Sequence, residues 1–147
     1  MGKSVQKRIE SLLFSAWAIS VIATSGSLYF SEIVGFIPCE LCWYQRIIMY
    51  PLVIILGVAV VKKDTKQALY GLIFSTIGII VATYHYMLQK IPALSTIDSC
   101  GIIPCTGQYI NWLGFITIPF LALVAFLLIF MLCYYIIVIE KRTGGSH

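Results

Sequence analysis

The chain has 147 residues, of which 60% are hydrophobic and 11% charged, with a formal net charge of +4. Soluble domains carry roughly a quarter charged residues, so this composition, with a mean hydropathy of +0.95, excludes an ordinary water-soluble fold. It equally excludes a disordered chain, which needs low hydrophobicity and high net charge, and it leaves lipid as the solvent for most of the surface.

A bilayer core about 30 Å thick takes roughly 20 apolar residues of helix. The first such run, residues 11–31, lies between Glu10 and Glu32 and follows Lys3, Lys7 and Arg8. Its basic start resembles a signal peptide, and Ala23-Thr24-Ser25 is a passable cleavage site. A signal h-region is only about 7–15 residues, however, so a retained helix is expected. Gly2 opens no myristoylation signal, because Gln6 stands where Ser or Thr is required.

Next comes Pro38 and a C-x-x-C, Cys39-Glu40-Leu41-Cys42. The charge-free stretch beyond it, residues 47–61, reaches spanning length if the helix starts near Leu41, which predicts a second helix over 41–61. Arg46 then stands near one end, where it snorkels to the interface or faces the bundle interior. Lys62, Lys63 and Lys66 occupy a short turn before a third helix over 67–89. Residues 99–111 hold Cys100, Gly101, Pro104, Cys105 and Gly107 and read as a loop. A fourth helix is expected over 112–139, kinked at Pro119. Gly144 to His147 read as an appended tail, leaving residues 1–143 as one all-α domain, a bundle of four transmembrane helices.

Eight of the ten basic residues fall before the first helix, between the second and third, and after the fourth. By the bias of lysine and arginine toward the cytoplasm, both termini are predicted to be cytoplasmic. The same distribution argues against nucleic acid as a partner, since the charge is split among three membrane-flanking sites instead of forming one patch.

That topology puts Cys39, Cys42, Cys100 and Cys105 on the external face as two local pairs, where an oxidising compartment permits disulfides. Three readings compete: structural staples, a four-cysteine zinc site, and exchange-active disulfides. An oxidising exterior works against free thiols and hence against zinc, so no metal is expected. A C-x-x-C closes too short a loop to gain much from loop-closure entropy, yet its geometry favours the reactive thiolate. A helix N-terminus just after Pro38 would add partial positive charge beside Cys39. Arg46 is four residues beyond Cys42 and seven beyond Cys39, about 40° and about 20° around a helix, so all three share one face. A cation at the membrane edge is costly unless it has a task, here the stabilisation of thiolate or developing negative charge.

Cys39-Glu40-Leu41-Cys42-Trp43-Tyr44-Gln45-Arg46 resembles the C-x-L-C-x-x-[EQ]-R signature of DsbB-type disulfide bond formation proteins. The resemblance extends over nearly the whole chain, and the short C-x4-C of the second pair is similar to the Gram-positive BdbC branch. It implies a thiol:quinone oxidoreductase of the bacterial plasma membrane. Electrons would pass from an extracytoplasmic thioredoxin-fold thiol oxidase to Cys100 and Cys105, then to Cys39 and Cys42, then to a membrane quinone, menaquinone or ubiquinone. The same resemblance implies Arg46 at the quinone and His85, within His85-Tyr86-Met87-Leu88-Gln89, near its headgroup. On its own residues His85 reads as an interfacial histidine bonded to a neighbouring helix.

Gln45 and Gln89 share the standing of His85 to a lesser degree. Tyr50, Met49 and Met87 are candidates for the lining of a quinone pocket but read first as packing or lipid-facing residues, and Cys133 reads as buried packing. Two other readings stay open. One is a vitamin K epoxide reductase-like enzyme, against which the position of the C-x-x-C counts. The other is a non-enzymatic tetraspan protein with structural disulfides.

Overall fold

The computed structural model describes residues 2–35, 37, 39–91, 93 and 117–144. They form four long helices: α1 (Lys3–Leu28), α2 (Glu40–Lys62), α3 (Gln67–Lys90) and α4 (Ile118–Thr143). All four are long and apolar enough to cross a membrane. Helix α1 packs on α2 and α4, and α3 packs on the same two, closing a four-helix ring.

The charges that bound the predicted first span do not end its helix. Helix α1 begins at Lys3, where Gln6 Nε2 donates to Glu10 across one turn at 3.2 Å. A charge marks where lipid ends, and a helix can run on into the interface. At its other end α1 passes into a π-helical turn, Tyr29–Ile33, and the chain turns away at Gly35 with φ +84°. Only glycine adopts that left-handed conformation without strain.

Helix α2 begins just after Cys39, whose backbone is extended. Pro51 lies inside it and removes the hydrogen bond its nitrogen would have made to the carbonyl of Ile47. The left-handed Lys63 closes α2, and Asp64 accepts the Lys66 backbone N–H at 3.0 Å in the turn that follows.

Helix α4 differs from expectation. Thr117 is extended and Pro119 falls in the first turn, so the described helix opens at this proline instead of being kinked by it. The missing N–H of a proline costs nothing there. Residues 112–116 of the expected span lie outside the described residues.

Inside the ring, Leu13 of α1, Leu52 and Leu56 of α2, and Phe126, Ile129 and Cys133 of α4 are fully or almost fully buried. Helix α3 contributes a different face: its buried residues are Ala68, Gly71, Ser75, Gly78 and Ala82, then His85 and Leu88. Small residues let backbones approach closely, the usual packing device where lipid removes any hydrophobic drive between helices. A Cβ on Gly78 would overlap the Phe126 ring, and one on Gly71 would lie 2.8 Å from Cys133 Sγ. Ile22, Ile54, Val61 and Met131 point outward and are largely exposed, as a lipid-facing surface requires.

Two ties fix which loops share an end. Lys63 Nζ pairs with Glu10 at 3.3 Å, and the Thr65 hydroxyl donates to Glu140. The start of α1, the α2–α3 turn and the end of α4 therefore meet at one end of the bundle. Cys39, Cys42 and His85 lie at the other.

Candidate active site: a cysteine pair beside an apolar pocket

At the far end the start of α2 lies against the last turns of α3. Cys39 and Cys42 are free thiols whose sulfurs are hydrogen-bonded at 3.2 Å. One helical turn separates them, which brings residues three apart onto one face. Cys39 is buried against Leu88, with Leu41 and Cys42 packed around them.

His85, buried to 1% exposure, places Nε2 3.5 Å from Cys39 Sγ. Gln45, also buried, places Nε2 3.4 Å from His85 Nδ1. With the amide N–H donating to Nδ1, the ring proton stands on Nε2, facing the sulfur. The hydrogen bond with Cys42, and then that with His85, outweigh burial and pull the Cys39 thiol down to about 4. Both contacts favour the Cys39 thiolate, the form that attacks and leaves in disulfide exchange.

On the other flank of α2 lies a pocket of about 440 Å³ between α1, α2 and α4. Its wall is apolar almost throughout, formed on α4 by residues from Ile118 to Leu128 and on α2 by Cys42, Gln45, Arg46, Met49 and Tyr50. Cys42, Arg46 and Tyr50 are four residues apart in succession and so form one stripe. Arg46 donates from Nε to Ser27 Oγ at 3.0 Å and from a terminal nitrogen to the Ser27 carbonyl at 3.2 Å. Its guanidinium carbon lies 5.3 Å from the Trp43 ring centroid. These contacts hold the cation at the pocket instead of letting it snorkel outward. Phe30 and Ser31 of the π-helical turn complete the rim, and such turns are frequent at functional sites.

The candidate residues thus divide. Cys39, Cys42 and His85 come together as one cluster; Cys42 and Arg46 share the pocket wall; Cys39 and His85 are not part of that wall among the described residues. Cys100 and Cys105 lie outside the described residues. Cys133 is buried between α4 and Gly71, away from the other described cysteines.

Ser27 carries no sequence signal beyond being a small polar residue in an apolar run. Tyr50 and Met49, for which the sequence left pocket lining as the second reading, line the pocket, and the Tyr50 hydroxyl is buried without a partner among the described residues. Met87 is exposed on α3.

The family model described as Disulfide bond formation protein DsbB matches residues 9–136. The chain belongs to that family. The probable disulfide formation protein C 1 of Bacillus anthracis is 56% identical over 96% of this chain and 100% of its own length. The disulfide bond formation protein C of Bacillus subtilis is 58% identical over 80% of this chain and 86% of its own. A probable disulfide formation protein C from Halalkalibacterium halodurans is 54% identical over 93% of this chain and all of its own. No solved structure gives a significant match. Four membrane-spanning helices and membership of this family make the protein a multi-pass membrane disulfide oxidoreductase.

Proposed function

We propose that the protein reoxidises an extracytoplasmic thioredoxin-fold thiol oxidase and passes the electrons to a membrane quinone, with both termini in the cytoplasm. The single observation that carries this reading is that Cys42 and Arg46 share the wall of one apolar, membrane-embedded pocket. A planar, lipid-dissolved acceptor fits such a pocket: the α4 wall offers apolar contact, and Arg46 has donors beyond the two committed to Ser27. A quinone bound there would accept two electrons and two protons.

In this scheme the partner's dithiol gives its electrons to a Cys100–Cys105 disulfide, leaving the partner oxidised. One loop thiolate then attacks the Cys39–Cys42 disulfide and expels one of its sulfurs as thiolate, and the second loop thiol attacks the resulting mixed disulfide, which releases the reduced pair and restores the loop disulfide. His85 stabilises the Cys39 thiolate through Nε2, and Gln45 holds the ring in the tautomer that does so. Cys42 presents its sulfur to the pocket, and Arg46 stabilises negative charge developing on an oxygen held there. Menaquinone and ubiquinone are both of the required chemistry.

The test compares two variants for quinone reduction and for a single stoichiometric oxidation of the partner. Arg46→Ala should slow quinone reduction on the order of 100-fold, the scale of lost electrostatic stabilisation, while the one-equivalent oxidation persists. Gly26→Leu should block the pocket without a clash, because Gly26 lines it and a Cβ there meets nothing within 4 Å. If Gly26→Leu leaves quinone binding at the wild-type level, the acceptor binds elsewhere.

A further inference from the structure

The cysteine end gathers a donor set that electron relay alone does not require. The sulfurs of Cys39 and Cys42 and a ring nitrogen of His85 all lie within 4.8 Å of one another. Two thiolates with one imidazole are a ligand set of d10 cations such as zinc, bound tetrahedrally with bonds of about 2.3 Å to sulfur and about 2.0–2.1 Å to nitrogen. Those bond lengths put neighbouring donor atoms roughly 3.5–3.8 Å apart. The structure has 3.2 Å between the sulfurs and 3.5 Å from Cys39 Sγ to His85 Nε2. Those two edges lie within about 0.6 Å of ligating ones, and the third, from Cys42 Sγ to His85, closes from within 4.8 Å as the ion binds.

The outer contact fits as well. A metal-ligating histidine almost always donates its other ring N–H to a fixed acceptor. Gln45 faces His85 Nδ1 at 3.4 Å, and half a turn of its amide offers the carbonyl oxygen in place of the N–H. The same side chain thus serves the tautomer that faces a thiolate and the tautomer that presents a lone pair on Nε2.

We propose that the dithiol form of the Cys39–Cys42 pair, together with His85, is a binding site for a soft d10 cation such as Zn²⁺ or Cd²⁺. The Cys42 S–H proton leaves to solvent, the imidazole proton passes from Nε2 to Nδ1, two metal–sulfur bonds and one metal–nitrogen bond form, and no electron moves. Water completes the fourth position. Oxidation to the disulfide consumes both sulfur donors, so the ion binds only the reduced pair and holds it reduced. The site is a brake that thiophilic cations apply between electron arrival and electron departure.

The experiment uses the full-length protein carrying Cys100→Ser and Cys105→Ser, so that the loop pair contributes no thiolate. Cd²⁺ is titrated into the reduced protein while the ultraviolet thiolate-to-cadmium charge-transfer band is followed. The expected result is saturation at one equivalent per chain, no band after oxidation, and a ¹¹³Cd chemical shift of two sulfurs with one nitrogen. His85→Ala should weaken binding at least tenfold and move the shift, and Gln45→Leu should weaken it about tenfold. The shift is read on protein with His85 in place, so the outcome does not hang on the variant folding. The absence of a saturable band, a shift of two sulfurs with oxygens only, or unchanged affinity in a folded His85→Ala would each overturn the site.

Discussion

Cys39 occupies an unusual position for a thiol: buried, yet with its acidity raised by a neighbouring sulfur and a buried imidazole. Its alkylation rate, followed site by site by mass spectrometry in the reduced protein, should stay level through neutral and weakly acidic pH. It should fall only as pH approaches about 4, where the thiolate is protonated. Cys42→Ala should move that fall upward most, because its sulfur is the main cause of the lowered value, and His85→Ala should move it upward less. A fall near the ordinary thiol value in the wild type would mean that neither contact stabilises the thiolate. Tyr50→Phe tests a different cost. A buried hydroxyl without a partner is unfavourable, so its removal should leave stability unchanged within about 0.5 kcal/mol or raise it, measured by thermal unfolding in detergent. At this scale the sequence was most legible where chemistry is local. The C-x-x-C and Arg46 announce themselves by spacing, whereas the contact between Cys39 and His85 joins positions 46 residues apart and leaves no periodic trace. Tyr50 was weighed toward packing over the pocket for a related reason: aromatics near a membrane interface are common, and only the helix packing decides which of them line a cavity.

Among the elements, α3 and α4 form the closest junction. Gly78 and the buried Phe126 interlock so tightly that Gly78→Ala should cost about 1–3 kcal/mol by overpacking. The double variant Gly78→Ala with Phe126→Leu should recover part of that loss in the same unfolding assay. Additive losses would show that the two positions do not share one space. The four helices were visible as charge-free runs because lipid tolerates few charges. Their ends were less so. Helix α1 starts eight residues before its expected boundary, since Lys3, Lys7 and Glu10 can remain helical outside the hydrocarbon. Pro119 was placed on the right helix but assigned to a kink, because a proline in an apolar run reads alike at a helix start and in its middle, and only the extended Thr117 before it decides. The π-helical turn had no sequence signal, yet it shapes the pocket rim through Phe30 and Ser31.

For the molecule as a whole, the ties Lys63–Glu10 and Thr65–Glu140 gather one end, and the cysteine cluster marks the other. In the proposed topology the first end, where most of the basic residues lie, is the cytoplasmic one. Ile37, 58% exposed beside the cysteine end, and Lys63, with a side chain 62% exposed at the opposite end, make reporters of that assignment. Single-cysteine labelling with a membrane-impermeant maleimide should modify Ile37→Cys in intact cells and Lys63→Cys only after permeabilisation. The reverse pattern would put the active cysteines in the cytoplasm and remove the extracytoplasmic partner.

The small-residue face of α3 has a consequence for how far a disturbance travels. His85 belongs to the same row as Gly71, Ser75, Gly78 and Ala82, so its distance from Cys39 is set by how closely one backbone settles against another. The seven residues from Gly78 to His85 amount to about 10 Å of helix. A bulkier side chain that deep in the bilayer would wedge α3 outward and draw the imidazole off the sulfur while every reacting group kept its identity. In a mutational survey such a variant would present as a chemical lesion, with Cys39 reverting toward an ordinary thiol in a bundle still fully helical. The glycines are the gauge blocks against which the histidine is aligned.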